Sequence, residues 1–175
     1  MKLERILMAG AGGQGIVFLG RLLATAALRN TTHLTFFPSY GAEVRGGTSN
    51  CQVILSTDEI SSPVAKEFDT MVLMNQESMH RFLTCLAPGG TAVINGSLCK
   101  TEPASNHILV RATEEADRLG DQRVANLVML GALLAHRPLA APVEVEEDLR
   151  ALLAGRPTHI VELNLAAFRK GLQTP

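Results

Sequence analysis

The chain has 175 residues, 46% of them apolar, with 16 basic and 17 acidic side chains and a net charge of −1, enough for one domain with a sizeable core and too little for two. The balanced charge builds no positive field that could displace counterions from nucleic acid, and the apolar stretches, such as Val124 to Ala135 broken by Asn126 and Gly131, fall short of the roughly 20 residues that span a bilayer. No nucleic acid and no membrane is therefore expected as a partner, and MKLERILMAG lacks the order of a signal peptide, so the expected location is cytoplasmic.

Apolar runs alternate with helical patterns through the first two thirds of the chain, which predicts βαβ units and a mostly parallel sheet. Arg5 to Met8 reads as a short buried strand, Gly15 to Leu28 as a helix and His33 to Phe37 as a second strand rich in Thr and Phe. The polar, glycine-rich segment Pro38 to Thr48 is a loop at the carboxyl end of that strand, on the edge where ligands of open α/β sheets sit. Asn50 to Ser56 alternates Cys51, Val53 and Leu55 with polar neighbours, and together with Glu59 to Ser61 it predicts a hairpin. Thr70 to Met74 follows as a buried strand, then a helix near Glu77 to Cys85 that ends before Pro88-Gly89-Gly90. Thr91 to Ile94 and His107 to Val110 are the last strands of the sheet. Beyond them Gln122 to Ala135 has a broad apolar face, and Glu144 to Leu153 and Ile160 to Phe168 are amphipathic, with Gly155 and Pro157 between them. The expected fold is a single α/β domain over residues 1–175: a Rossmann-like three-layer sandwich with a mostly parallel sheet, an added hairpin and C-terminal helices.

Cys51, Cys85 and Cys99 lie far apart with no C-x-x-C pair, so local spacing assembles neither a zinc site nor an iron–sulfur cluster. They read as small buried apolar residues of a reducing compartment. The histidines His33, His80, His107, His136 and His159 show no i, i+4 metal pair and no neighbouring Ser or Cys nucleophile. The expectation is no metal site and no catalytic residue.

The chemistry-bearing stretch is MAGAGGQGI, Met8 to Ile16, directly after the first strand. Gly10, Gly12 and Gly15 fit the G-x-G-x-x-G spacing, and Gly13 and Gln14 are additions that this spacing does not require. Glycines let the backbone approach a phosphate, and the helix that follows directs unpaired N–H groups at an anion. A dinucleotide site also needs an acid at the end of the second strand for the ribose hydroxyls. Here that strand ends in Phe37-Pro38-Ser39, and no acid comes before Glu43, which disfavours NAD. A tight turn without a ligand is the bland alternative. The second loop, Tyr40-Gly41-Ala42-Glu43-Val44-Arg45-Gly46-Gly47-Thr48-Ser49, packs one acid, one base and three glycines together. Arg45 suits a phosphate or carboxylate, with Glu43 orienting it or meeting a neighbouring subunit; a surface turn whose two charges pair with each other is the alternative.

GAGGQGI at Gly10 to Ile16, YGAEVRGGTS at Tyr40 to Ser49 and VILSTDEISSP at Val53 to Pro63 together resemble the gamma subunit of 2-oxoacid:ferredoxin oxidoreductases. VANLVMLGALL at Val124 to Leu134 and NLAAFRKG at Asn164 to Gly171 extend the resemblance over nearly the whole chain. Only YGAEVRGG is specific by itself.

The resemblance implies a non-catalytic subunit of an enzyme that converts a 2-oxoacid and coenzyme A to an acyl-CoA and carbon dioxide and passes electrons to ferredoxin. It implies thiamine diphosphate and Mg in alpha and beta partner subunits, [4Fe-4S] clusters in a cysteine-rich delta subunit, and no cofactor bound by this chain alone. The glycine loops then stand at the active-site entrance, where coenzyme A arrives. The expected cofactor-binding residues at this shared site are Gly10, Gly12, Gly13, Gln14 and Gly15 of the first loop and Tyr40, Gly41, Glu43, Arg45, Gly46 and Gly47 of the second. YGAEVRGGTS resembles 2-oxoglutarate-type loops more than the pyruvate type, which more often begins with Phe and doubles the arginine, or the indolepyruvate type, which tends to lack the acid. Pyruvate, branched-chain or indolepyruvate specificity, a purely structural subunit and a free-standing dinucleotide-binding oxidoreductase are the alternatives.

Overall fold

The computed structural model describes residues 3–39, 48–102 and 104–175. The chain alternates strand and helix: β1 (Leu3–Ala11), α1 (Ile16–Ala27), β2 (His33–Ser39), β3 (Thr48–Ser56), β4 (Phe68–Leu73), α2 (Gln76–Phe82), β5 (Leu86–Asn95) and β6 (His107–Val110). Four helices complete it: α3 (Ala112–Leu119), α4 (Ala125–His136), α5 (Pro142–Leu152) and α6 (Thr158–Leu172).

The six strands form one sheet in the order β2-β3-β1-β4-β5-β6. β3 runs antiparallel to both β2 and β1, while β1, β4, β5 and β6 pair in parallel. Five strands therefore share one direction. Period-2 alternation sends Ile6 and Met8 of β1 to one face and Leu7 and Ala9 to the other, and all four are fully buried. α1 and α4 cover the first face, with α3, α5 and α6 packed around them; α2 covers the second. In α1 the buried residues Ile16, Leu19, Leu22, Leu23 and Ala26 recur at helical spacing. Each buried leucine contributes about 2 kcal/mol by removal from water.

The expected hairpin of Asn50 to Ser56 with Glu59 to Ser61 does not form. β3 pairs with β2 residue by residue from Ser39↔Asn50 to His33↔Ser56, and Glu59 to Ser61 is not a strand. Ile60 instead lines a surface cavity of about 430 Å³ with Leu3, Ile54 and Val64. β5 begins at Leu86 and carries Pro88-Gly89-Gly90 within it, earlier than Thr91. α3, which no apolar period announces, buries only Ala112 and Ala116.

Two ion pairs tie the sheet together. Glu4 of β1, 3% exposed, accepts from Arg137 Nη2 at 2.7 Å with both oxygens and from Thr70 Oγ1 of β4 at 2.5 Å. Arg5 meets Asp69 through Nε at 2.9 Å and Nη2 at 2.8 Å, and its backbone N–H donates to the same carboxylate. That contact holds the Asp69 carboxyl below its ordinary range. Burial pushes the thiol of Cys51 up to about 12 and that of Cys99 up to about 11, which keeps both protonated and inert at neutral pH. Among the described residues no helix is long and apolar enough to cross a membrane, and no group of three His, Cys, Asp or Glu side chains could hold a metal ion.

Candidate functional site

β1 continues through Gly10 to Ala11, so Gly10 is a strand residue whose missing side chain makes room for its neighbours. A Cβ there would stand 2.6 Å from Gln14 Oε1 and 2.8 Å from Ile16 Cδ1 and Met74 Cβ. Gly12 to Gly15 then turn the chain into α1. The turn is closed by Gln14 twice: its backbone N–H donates to the Ala11 carbonyl at 3.2 Å, and its side-chain Oε1 accepts from Ala11 N at 2.7 Å. Gly13 (φ 88°) and Gly15 (φ 72°) occupy the left-handed region, where an L side chain is strained.

Gly15 is the N-cap of α1. No side chain caps this helix and no acid stands in its first turn, so its first N–H groups and the positive end of its dipole are directed past the glycines. Asn126, at the start of α4 and only 6% exposed, backs the turn. Its Nδ2 lies 3.5 Å from the Gly15 carbonyl oxygen, its Oδ1 accepts from Leu127 N at 2.8 Å, and a Cβ on Gly15 would overlap its amide. The polar break noted in the apolar run of α4 is thus a support for the loop 111 residues earlier.

A cavity of about 230 Å³ opens beside the turn, with Gly13, Gln14, Met74, Thr113, Arg123 and Asn126 in its wall. It lies at the carboxyl ends of β1 and β4. β1 leads into α1 on one face and the neighbouring β4 leads into α2 on the other, which makes this the switch point where open α/β sheets bind ligands. Arg123 at the cavity is paired with Asp121 through Nε at 2.9 Å and Nη2 at 2.6 Å, and this guanidinium holds the Asp121 carboxyl below its ordinary range.

The sheet order gives a second reason against a dinucleotide. β3 stands between β1 and β2, so the end of β2, where a ribose-binding acid would sit, is displaced from the glycine turn by an extra strand spacing of about 4.8 Å. Among the described residues no acid stands at the end of β2 to meet a ribose beside this helix start.

Of the predicted site residues, Gly12, Gly13, Gln14 and Gly15 come together in this turn, and Gly10 stands at the end of β1 beside it. Tyr40, Gly41, Glu43, Arg45, Gly46 and Gly47 lie outside the described residues. The positions flanking them, Ser39 and Thr48, are at the same edge of the sheet as the turn, because Thr48 pairs with Ala11 across β3 and β1. Thr48 is buried and its Oγ1 accepts from Arg81 Nη1 of α2 at 2.8 Å. Asn126 and Arg81 are absent from the sequence-derived set, since each acts over a long sequence separation that no local spacing encodes.

A family model described as pyruvate ferredoxin/flavodoxin oxidoreductase matches residues 5–174. The chain belongs to that family. Within it, the ketoisovalerate oxidoreductase subunit VorA of Methanothermobacter thermautotrophicus is 33% identical over 171 residues, which is 97% of this chain but 36% of the relative. The chain thus spans about a third of the length of the ketoisovalerate relatives it matches. The 2-oxoglutarate synthase subunit KorC of the same organism is 31% identical over 178 residues, 96% of this chain and 93% of the relative. Among solved structures, the gamma subunit of a keto/oxoacid ferredoxin oxidoreductase from Geobacter sulfurreducens superposes with a TM-score of 0.82 at 29% identity, covering 99% of this chain and 97% of that one. A 2-oxoglutarate:ferredoxin oxidoreductase from Magnetococcus marinus, solved with 2-oxoglutarate, coenzyme A and succinyl-CoA bound, contains a matching region with a TM-score of 0.87 at 25% identity. That match covers 98% of this chain and 31% of the Magnetococcus chain.

Proposed function

We propose that this chain is the gamma component of a 2-oxoacid:ferredoxin oxidoreductase of the 2-oxoglutarate type, working in the cytoplasm. The complex converts 2-oxoglutarate and coenzyme A to succinyl-CoA and carbon dioxide and passes the electrons to ferredoxin. The observation that carries this reading is the end-to-end match, in both directions, with the KorC subunit and with the Geobacter gamma subunit. Thiamine diphosphate, Mg and the [4Fe-4S] clusters belong to alpha, beta and delta partner chains, which supply the oxidative decarboxylation and the electron path. This chain completes the assembly and offers its edge to coenzyme A.

The residues of the glycine turn fit that role. In this reading Gly12, Gly13 and Gln14 admit a phosphate group of coenzyme A to the uncapped start of α1, and Gly15 aims the helix at it. In the same reading Tyr40, Gly41, Glu43, Arg45, Gly46 and Gly47 of the second loop serve coenzyme A, with Arg45 as the phosphate partner. In the assembled enzyme Arg45→Ala raises the Michaelis constant for coenzyme A about tenfold and leaves that for the 2-oxoacid in place. An unchanged coenzyme A constant would remove Arg45 from the site.

The 33% identity to the ketoisovalerate subunit favours a second reading of the substrate, a branched-chain 2-oxoacid. Comparing kcat/KM for 2-oxoglutarate and 2-oxoisovalerate on the purified complex separates the two, and the proposal requires 2-oxoglutarate to be preferred.

A further inference from the structure

We infer that Arg81 and Thr48 form a clamp that positions the glycine turn for coenzyme A; this rests on the coenzyme A reading above. Thr48 is the first residue of β3 and is 7% exposed. A threonine hydroxyl at that depth needs a partner, and it accepts from Arg81 Nη1 at 2.8 Å. Arg81 belongs to α2, on the face of the sheet opposite α1, and its Cζ sits 5.3 Å from the Phe82 ring centroid. Arg81 is itself exposed, and its guanidinium ends at the strand terminus.

The clamp reaches the turn through strand pairing. Thr48 lies opposite Ala11, and Ala11 is the residue that Gln14 holds by both its backbone and its side chain. Strand ends fray unless something fixes them. At this corner the fixing contact comes from the neighbouring helix, through a charge-assisted hydrogen bond stronger than a neutral one. Arg81 and Thr48 together therefore set where β3 and β1 end, and with that where Gly12 to Gly15 stand. Arg81 acts through Thr48 and is a positioning residue.

Three variants of the assembled enzyme test this: Arg81→Met, Thr48→Val and the two combined. Each single variant raises the Michaelis constant for coenzyme A about fivefold and leaves kcat and the 2-oxoacid constant near those of the parent. The combined variant is no worse than Arg81→Met alone, because Arg81→Met already removes the bond that Thr48→Val removes. Arg81→Lys, which keeps a donor, recovers most of the loss. Hydrogen exchange of the Ala11 to Gln14 amides, measured without coenzyme A, is faster in Arg81→Met and Thr48→Val than in the parent. Unchanged exchange overturns the clamp whatever the kinetics show. Multiplicative effects in the combined variant also overturn it, since Arg81 would then act independently of Thr48. If Arg45→Ala raises the coenzyme A constant and the clamp variants do not, the clamp's service to coenzyme A is refuted and the coenzyme A reading stands. If exchange quickens while neither Arg45→Ala nor the clamp variants move that constant, the clamp holds the turn, the inferred service to coenzyme A is refuted, and the reading beneath it fails.

Discussion

The two glycines of the turn that lie at positive φ differ in what surrounds them, and that difference can be measured. A side chain at Gly13 would meet open space, while one at Gly15 would run into the Asn126 amide. Gly13→Ala therefore costs only the backbone penalty, about 1 kcal/mol, and Gly15→Ala costs more, about 3 kcal/mol, because it also displaces Asn126. Urea unfolding of the two variants should give that order, and equal losses would show that Asn126 yields freely. The turn itself was legible in MAGAGGQGI, since spacing alone identifies a strand-to-helix glycine loop. The role of Gln14 as the residue that closes the turn, and of Asn126 as its backing, was not, because each depends on a contact rather than on a residue pattern.

At the scale of elements, helix packing explains a second interruption in the apolar run of α4. Gly131 faces Gly171 of α6 at a close crossing, where a Cβ on Gly131 would overlap the Phe168 carbonyl oxygen and one on Gly171 the Val128 carbonyl oxygen. Gly131→Ala forces two backbones apart and should lower stability by about 3 kcal/mol in the same unfolding measurement; a loss under half of that would mean that α6 shifts without strain. The Arg5–Asp69 pair between β1 and the start of β4 makes a pH prediction. The folded carboxyl titrates below its ordinary value of 3.8, so the pair contributes its full stability above that value and loses it as pH falls through the lower folded value. Asp69→Asn should cost about 1 kcal/mol at pH 7 and nothing in acid below the folded value. A cost independent of pH would assign the effect to packing. Strands β1, β4 and β6 and helices α1, α4, α5 and α6 were readable because they carry dense apolar periods. Glu59 to Ser61 was misread because its isolated Ile60 lines a surface cavity. α3 is not legible in the sequence because half of ATEEADRL is charged and it buries only two alanines.

For the molecule as a whole, the class of fold and the family were both legible in the order of the motifs along the chain. The position of β3 was not. Nothing in Asn50 to Ser56 says that it inserts between β1 and β2, since strand order depends on pairing across the whole sheet. That insertion separates the glycine turn from the place of a ribose acid and brings Thr48 beside Ala11, which is the structural basis for reading the loop as a site for a ligand other than a dinucleotide. The most direct test is an anaerobic pull-down of the tagged chain from its native host, followed by an assay of 2-oxoglutarate oxidation with a viologen acceptor, with and without coenzyme A. The account predicts brown iron–sulfur partner chains and viologen reduction that depends on both 2-oxoglutarate and coenzyme A. A chain that comes down alone and binds NAD(H) tightly would contradict it.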